Sequence, residues 1–356
     1  MKNLEFRIEN EGLKTAIPIL NSQFLIAGVV FALMIFTAGI GQAEEFLQFK
    51  FKPGDKYFLL SVIEQKTIQV VDGNEQVNEQ TVRIGCDLDI EEVDENDCAW
   101  ARYTYRQCAL NIKRPNVDIQ FDSEANQPRV PAEAMPLYLV IGESLFLKIT
   151  PQGRIISING LSALLSSAKA RAPLLAFRSQ VVSGIDKNFA ELPIRRRLEE
   201  QLAVFPPGQK TDDGNSVVGF SWSRVEEVND EPKQIQLWLY QLKQRRDGIA
   251  FIDVNVAISP PADLDEVVTG GVKARREVSG KGSGTVEIEE ATGRIINEKV
   301  TRETVDEIKA SPQGPVLRLP ILRPPVTIRT VTNFQMTKRQ DSSTLSTFIP
   351  PEANKP

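Results

Sequence analysis

Three cysteines, Cys86, Cys98 and Cys108, are the only thiols in 356 residues, and the chain has no histidine. Without imidazole there is no Ser-His-Asp or Cys-His catalysis, no His-ligated metal and no imidazole pH switch. Spacings of 12 and 10 between the cysteines match no metal-ligand pattern. No catalytic, metal or cofactor residues are therefore assigned. What remains for the thiols is oxidation or burial. Cys86 alternates with Val82, Ile84 and Leu88, and Cys108 with Leu110 and Ile112. With a turn at 94–97, the two cysteines fall within about two positions of facing one another on neighbouring strands. A Cys86–Cys108 disulfide and three buried apolar thiols are both compatible with this pattern.

Other runs invite chemistry and are better explained by structure. Gly280-Lys281-Gly282-Ser283-Gly284 contains glycines and a lysine, but it opens a strand-like stretch. A phosphate loop opens a helix. Glycines inside a strand point instead to a bulge or a close backbone approach. The run at 208–211 also lacks phosphate-loop spacing. Arg195-Arg196-Arg197 lies four residues before Glu199 and Glu200, as on a solvated helix face. Asp212, Asp213, Glu287, Glu289 and Glu290 are plentiful carboxylates with no spacing that marks a catalytic pair. Trp100, Trp222 and Trp238 all fall in strand-like runs, which suits sheet packing or the wall of an apolar ligand cavity.

The elements that must carry these residues are mostly strands. Apolar and polar residues alternate over 57–71, 77–93 and 98–112, with turn residues at 72–74 and 94–97. A short helix is expected over 131–140, then a hairpin over 145–158. From 161 to 205 the apolar period lengthens to that of amphipathic helices, interrupted at Pro173 and Pro193. Strand patterns return over 217–228, 234–244 and 249–258. A Pro/Gly/acidic loop is expected over 259–271, followed by a long hairpin over 272–305. One strand, 326–336, is expected near the end, with a disordered tail from 341. The expected class is α+β, mostly antiparallel β, with two long-stranded curved sheets or half-barrels flanking a helical middle. The corresponding segments are 1–43, 44–160, 161–205, 206–310 and 311–356.

Residues 16–42 carry no charge, and Phe24 to Ile40 form a dense apolar run. Gly41-Gln42-Ala43 follows, with small residues three apart, as an export signal cleaved between Ala43 and Glu44 requires. If uncleaved, residues 16–43 anchor the chain in a membrane. Either way the folded part is expected outside the cytoplasm, periplasmic, secreted or membrane-anchored. Lys and Arg total 42 against 47 Asp and Glu, for a net charge of −5. That balance excludes a general nucleic-acid binder, which needs a basic surface.

The order Lys52-Pro53-Gly54-Asp55, Pro151-Gln152-Gly153-Arg154-Ile155, Asn159-Gly160-Leu161, Phe205-Pro206-Pro207, Ser221-Trp222 and Gly282-Ser283-Gly284-Thr285 to Thr292-Gly293-Arg294 is distinctive. It resembles a family of uncharacterised bacterial exported proteins, known only as a domain of unknown function, over 46–310. The strand-helix-strand order is more faintly similar to half-barrel lipoprotein carriers, whose sheet curls round helices to hold acyl chains. Neither resemblance supplies a functional residue. The expected function is non-enzymatic binding of a lipid or other apolar ligand, or of an envelope protein partner. The alternatives are a structural or assembly module of the envelope and, behind it, a hydrolase using carboxylates.

Overall fold

The computed structural model describes residues 46–339 apart from 72–73, 126, 173–176, 208–216, 229–232, 262–266, 270–271 and 313–325. The apolar leader with its Ala43–Glu44 junction, the 208–213 stretch and the tail from 341 lie outside the described residues. Among those described, no helix is long and apolar enough to cross a membrane.

Alternating sequence becomes long antiparallel strands. They are β1 (Lys56–Val71), β2 (Asn74–Val93), β3 (Ala99–Arg114), β4 (Val117–Asp122), β5 (Ser144–Ile149), β6 (Ile155–Asn159), β7 (Ser221–Val228), β8 (Gln234–Arg246), β9 (Ile249–Ser259), β10 (Val267–Thr269), β11 (Val272–Glu289), β12 (Arg294–Pro312) and β13 (Val326–Arg339). Short β10 lies in the stretch expected to be a loop, and β4 folds back to pair antiparallel with the end of β3, Val117 opposite Arg114.

All thirteen strands form one open, curved sheet rather than the two expected. The order is β6-β5-β3-β2-β1-β13-β12-β11-β9-β8-β7, with β4 on β3 and β10 on β11. Each expected sheet is one half of it. The join is β13, which pairs Phe334 with Ile63 of β1 and with Val300 of β12. Local pattern cannot reveal this, because β13 is remote in sequence from β1.

One face of the sheet holds the core. On β1, Leu59, Ser61 and Ile63 alternate inward, opposite Cys86, Ile84 and Val82 of β2. Helix α1 (Met135–Tyr138) is a single turn, shorter than expected. Helices α2 (Leu161–Arg171), α3 (Arg178–Asn188) and α4 (Glu191–Leu202) fill the curl. Their buried residues recur every four positions: Leu164 and Ala168, Val181 and Ile185, then Ile194, Leu198 and Leu202. This spacing places each set on one helix face.

The entry segment stitches the two halves together at this end. Phe49 stacks on Phe51 and meets Phe205 edge-on, both at 4.7 Å between ring centroids. Its N–H donates to Pro151 O at 2.8 Å, and the N–H of Lys50 donates to Thr292 O at 2.9 Å. Both turns carry a left-handed glycine, Gly153 at φ +80° and Gly293 at φ +68°. A Cβ would lie 1.9 Å from Leu202 O at Gly153 and 1.8 Å from Gln48 O at Gly293. Both the backbone angle and the space demand glycine there.

The seam predicts the weakest point of the fold. Phe334→Ala removes a side chain that is 6% exposed, and is expected to cost about 3–5 kcal/mol in urea unfolding. Truncation before residue 326 is expected to yield aggregated protein on gel filtration, since it bares the β1 and β12 edges together. A monomeric truncation product would show that the halves fold without the seam.

Candidate functional site: a polar chamber beneath α4

Along the inner face the sheet changes character. At the helical end its side chains are apolar. Further along, β1 offers Gln65 where it earlier offered Leu59, and β13 offers Thr332 and Thr330 beyond Phe334. The register aligns these positions in rows. Gln65 is opposite Thr332, which is opposite Arg302, which is opposite Gly282. In the next row Thr330, Thr304, Gly280, Ile258 and Gln236 succeed one another across β13, β12, β11, β9 and β8. Between these rows and α4 lies a cavity of about 410 Å³. Arg196 and Glu200 of α4 face it, and Ile258 and Val278 are the only apolar residues of its lining.

Glycines make the chamber. Gly280, Gly282 and Gly284 all fall on the inner face of β11. A Cβ on Gly280 would sit 2.3 Å from Glu303 O, and one on Gly284 2.1 Å from Lys299 O, so β11 and β12 approach too closely for side chains. This is the close backbone approach expected of the run. At Gly282 the Arg302 Cγ would be 2.8 Å away. The Arg302 stem therefore crosses β11 where no side chain blocks it, and its guanidinium carbon lies 5.4 Å from the Trp238 ring centre. Strands β12 and β8 are three strand spacings apart, about 14 Å in a flat sheet at about 4.8 Å each. The curl and the missing side chains close that gap.

A charged network anchors α4 over the chamber. Arg302 Nη1 lies 3.2 Å from Glu200 Oε1 and 3.4 Å from Gln236 Oε1. Arg224, 6% exposed, donates to Glu199 O at 2.8 Å, lies 3.7 Å from Glu226, and sits 5.1 Å from the Trp238 ring. Gln201 donates to Ser61 Oγ of β1 at 2.7 Å. One helix thus holds β1, β7 and β12 at once. Burial opposes the Glu200 charge, but Arg302, Arg196 and Arg224 outweigh it and hold its pKa below the ordinary carboxylate range. Glu226 is shifted the other way, upward, by burial and then by the Glu200 charge, with Arg224 opposing. Burial also works against the Arg224 charge, yet Tyr240, Glu226, Glu200 and Glu298 keep it firmly protonated.

Several singled-out residues lie elsewhere. The three thiols are free and buried. Cys108 stands opposite Ile84, and Cys86 opposite Tyr105, with an irregularity between Gly85 and Cys86. The two thiols therefore occupy diagonal rather than directly facing positions of the ladder. Of the arginine run, Arg195 pairs with Glu191 at 3.0 Å, Arg197 lies over Phe189, and Arg196 faces the chamber. Glu290 pairs with Arg245 at 2.7 Å, and Glu289 accepts from Thr292 at 2.6 Å. Trp222 stacks on Tyr240 at 5.5 Å and donates to Val204 O. Among the described residues no group of His, Cys, Asp and Glu could hold a metal ion.

Sequence reading passed over Arg302, Arg224, Glu226 and Gln236. A signal existed. Trp222, Arg224 and Glu226 share one face of β7, as Gln234, Gln236, Trp238 and Tyr240 share one face of β8. Charged residues on the same face as two tryptophans are out of place in a plain core.

Taken together these features define an open, curled antiparallel sheet filled by helices, with a charged chamber where the filling stops. The chain belongs to a family of unknown function, DUF6263, whose profile matches residues 100–295. That stretch contains α2 to α4, both tight glycine turns and every chamber residue from Arg196 to Val278. No curated protein matches the chain. Among solved structures it is weakly similar to one described as "Lipid-protein interactions in lipovitellin", at 11% identity and a TM-score of 0.40, over 82% of this chain and 26% of that one. It thus spans about a quarter of the lipovitellin chain. It is also similar to Pseudomonas aeruginosa OccK7 (OpdD), at 6% identity and a TM-score of 0.21, over 80% of this chain and 99% of that one. For OccK5 (OpdH) from the same organism the values are 5%, 0.21, 80% and 98%.

Two predictions follow from the electrostatics. Burial pushes the Cys86 and Cys108 thiols up to about 12. Both should resist iodoacetamide at about pH 8 until the protein is denatured, because the thiolate is the nucleophile. Rapid labelling of either in native protein, read by peptide mass mapping, would contradict their burial. The second concerns the carboxylates. A lowered pKa means that Glu200 stabilises the fold above the ordinary carboxylate range and loses that contribution as pH falls through its lowered value. Glu226, with its raised pKa, costs stability at neutral pH, and the cost fades as pH falls through the raised value. At pH 7 Glu200→Gln should therefore cost about 3 kcal/mol, and Glu226→Gln much less. The reverse order in thermal or urea unfolding would overturn the assignment.

Proposed function

We propose that this protein is a non-enzymatic ligand-binding protein that works outside the cytoplasm and holds its ligand in the chamber beneath α4. The observation that carries this reading is the cavity of about 410 Å³ between helix and sheet, within the about 300–1,000 Å³ of small-ligand pockets. Its walls shift the expected ligand chemistry. A wholly apolar ligand would desolvate Arg196, Glu200, Arg302 and Asp306 without replacing their hydrogen bonds. The ligand must carry polar groups. In addition, Gln234 Oε1 in the lining is buried without a hydrogen-bond partner, as a group awaiting a ligand would be. Contact with another envelope protein is a second reading, favoured by Val225 and Leu239, which are 60% and 45% exposed on the outer face of β7 and β8.

Native mass spectrometry of protein isolated from its own cell envelope tests the first reading. A non-covalent adduct is expected on the wild type. It should be weakened in Thr332→Leu, which narrows the chamber and replaces a wall hydroxyl with an apolar side chain. The same preparation is expected to begin at Glu44 on N-terminal sequencing. Absence of any adduct, or an adduct indifferent to Thr332→Leu, would overturn the chamber as the binding site.

A further inference from the structure

The chemistry of the chamber walls goes further than the presence of a ligand. Resting on the binding reading above, we propose that the chamber is a saccharide site, taking an uncharged polyhydroxylated ligand. Three features of the lining support this.

First, its charges are compensated. Arg302 pairs with Glu200 at 3.2 Å, and Arg276 holds Asp306 through both carboxylate oxygens at 3.0 Å. An entering ion of either sign meets carboxylates and guanidiniums already engaged with one another. A neutral polyol is repelled by neither. Second, donors and acceptors are mixed. Guanidiniums only donate and carboxylates only accept, whereas the amides of Gln65, Gln234 and Gln236 do both. Sugar hydroxyls also do both. Planar side chains with two adjacent donors or acceptors match vicinal hydroxyls in the same bidentate way that guanidinium matches carboxylate.

Third, the sheet lattice fixes a hydroxyl patch. Thr304 of β12 stands directly opposite Thr330 of β13, and Arg302 directly opposite Thr332. β-branched side chains on a paired strand have restricted rotamers, so this patch is preorganised. Thr304 Oγ1 reaches Thr330 O only at 3.4 Å, a weak bond that a ligand hydroxyl can replace. Ile258 and Val278, adjoining the patch, offer an apolar surface for the C–H face of a ring. A phosphate site would show unopposed cations, and an acyl site an apolar lining. Neither describes these walls.

Isothermal titration calorimetry of the purified chain tests this with four neutral disaccharides as probes: maltose, cellobiose, lactose and N,N′-diacetylchitobiose. Sodium phosphate and dodecanoate serve as the contrasting probes. Saturable binding of at least one disaccharide is expected, little changed by high salt, since an uncharged ligand is not screened. The Thr304→Val/Thr330→Val variant keeps both β-branched shapes and should fold with unchanged circular dichroism. It should bind that sugar about tenfold more weakly, the loss of about one or two net hydrogen bonds. Salt-sensitive binding of phosphate with no sugar response would make the chamber an anion site. Binding of dodecanoate alone would make it an acyl site. Either result overturns the saccharide assignment while the binding reading stands. A silent panel also overturns the assignment, and the binding reading then falls only if protein from the native envelope carries no adduct. Sugar binding unchanged in the double valine variant would place it outside the chamber.

Discussion

The backbone pairing of β13 with β1 on one side and β12 on the other holds the rest of the fold in place. Each half of the molecule ends in a long strand, and each of those strands would otherwise present an unpaired edge. Because β13 satisfies both, one curved sheet results, and its inner face runs continuously from β6 to β7. The same strand contributes Phe334 to the core and Thr330 and Thr332 to the chamber. Joining the halves and building the site are thus done by one element.

Helix α4 depends on that continuity. Its buried face, Ile194, Leu198 and Leu202, is ordinary amphipathic packing. Its polar contacts are less ordinary, since Gln201 reaches β1, the Glu199 carbonyl takes a bond from β7, and Glu200 pairs with Arg302 of β12. Burying these charges carries a desolvation cost that geometry must offset. The compensation is visible in the opposed shifts of the two carboxylates. Glu200, encircled by three guanidiniums, stays ionised, and Glu226 absorbs the remaining strain of like charge. A hydrophobic contact would hold the helix as well. A charged one also leaves a polar chamber beside it.

Glycine recurs wherever two backbones must meet. Gly153 and Gly293 receive the end of α4 and the entry segment, and three glycines of β11 let β12 approach. The first two belong to turns that mark the family resemblance, and their role is structural. Gly282 is different in that its missing side chain leaves the passage through which Arg302 reaches Trp238. Here a backbone requirement becomes a property of the site.

Much of the secondary structure was legible in sequence. The alternation over 77–93 defines β2, and the four-residue spacing from Ile194 to Leu202 defines α4, because both periods are properties of a single segment. The absence of histidine and the near balance of charge excluded whole classes of chemistry before any fold was known. Short β10, hidden among turn residues, was not legible, nor was the joining of two sheets into one. Strand order depends on pairings between residues hundreds of positions apart, and no local pattern encodes them. For the same reason the chamber was out of reach. Arg302, Glu200, Gln236 and Trp238 are unremarkable one at a time and come from three separate elements. Only the curl of the finished sheet, with glycines beneath the arginine, brings their charges within a few ångströms of one another.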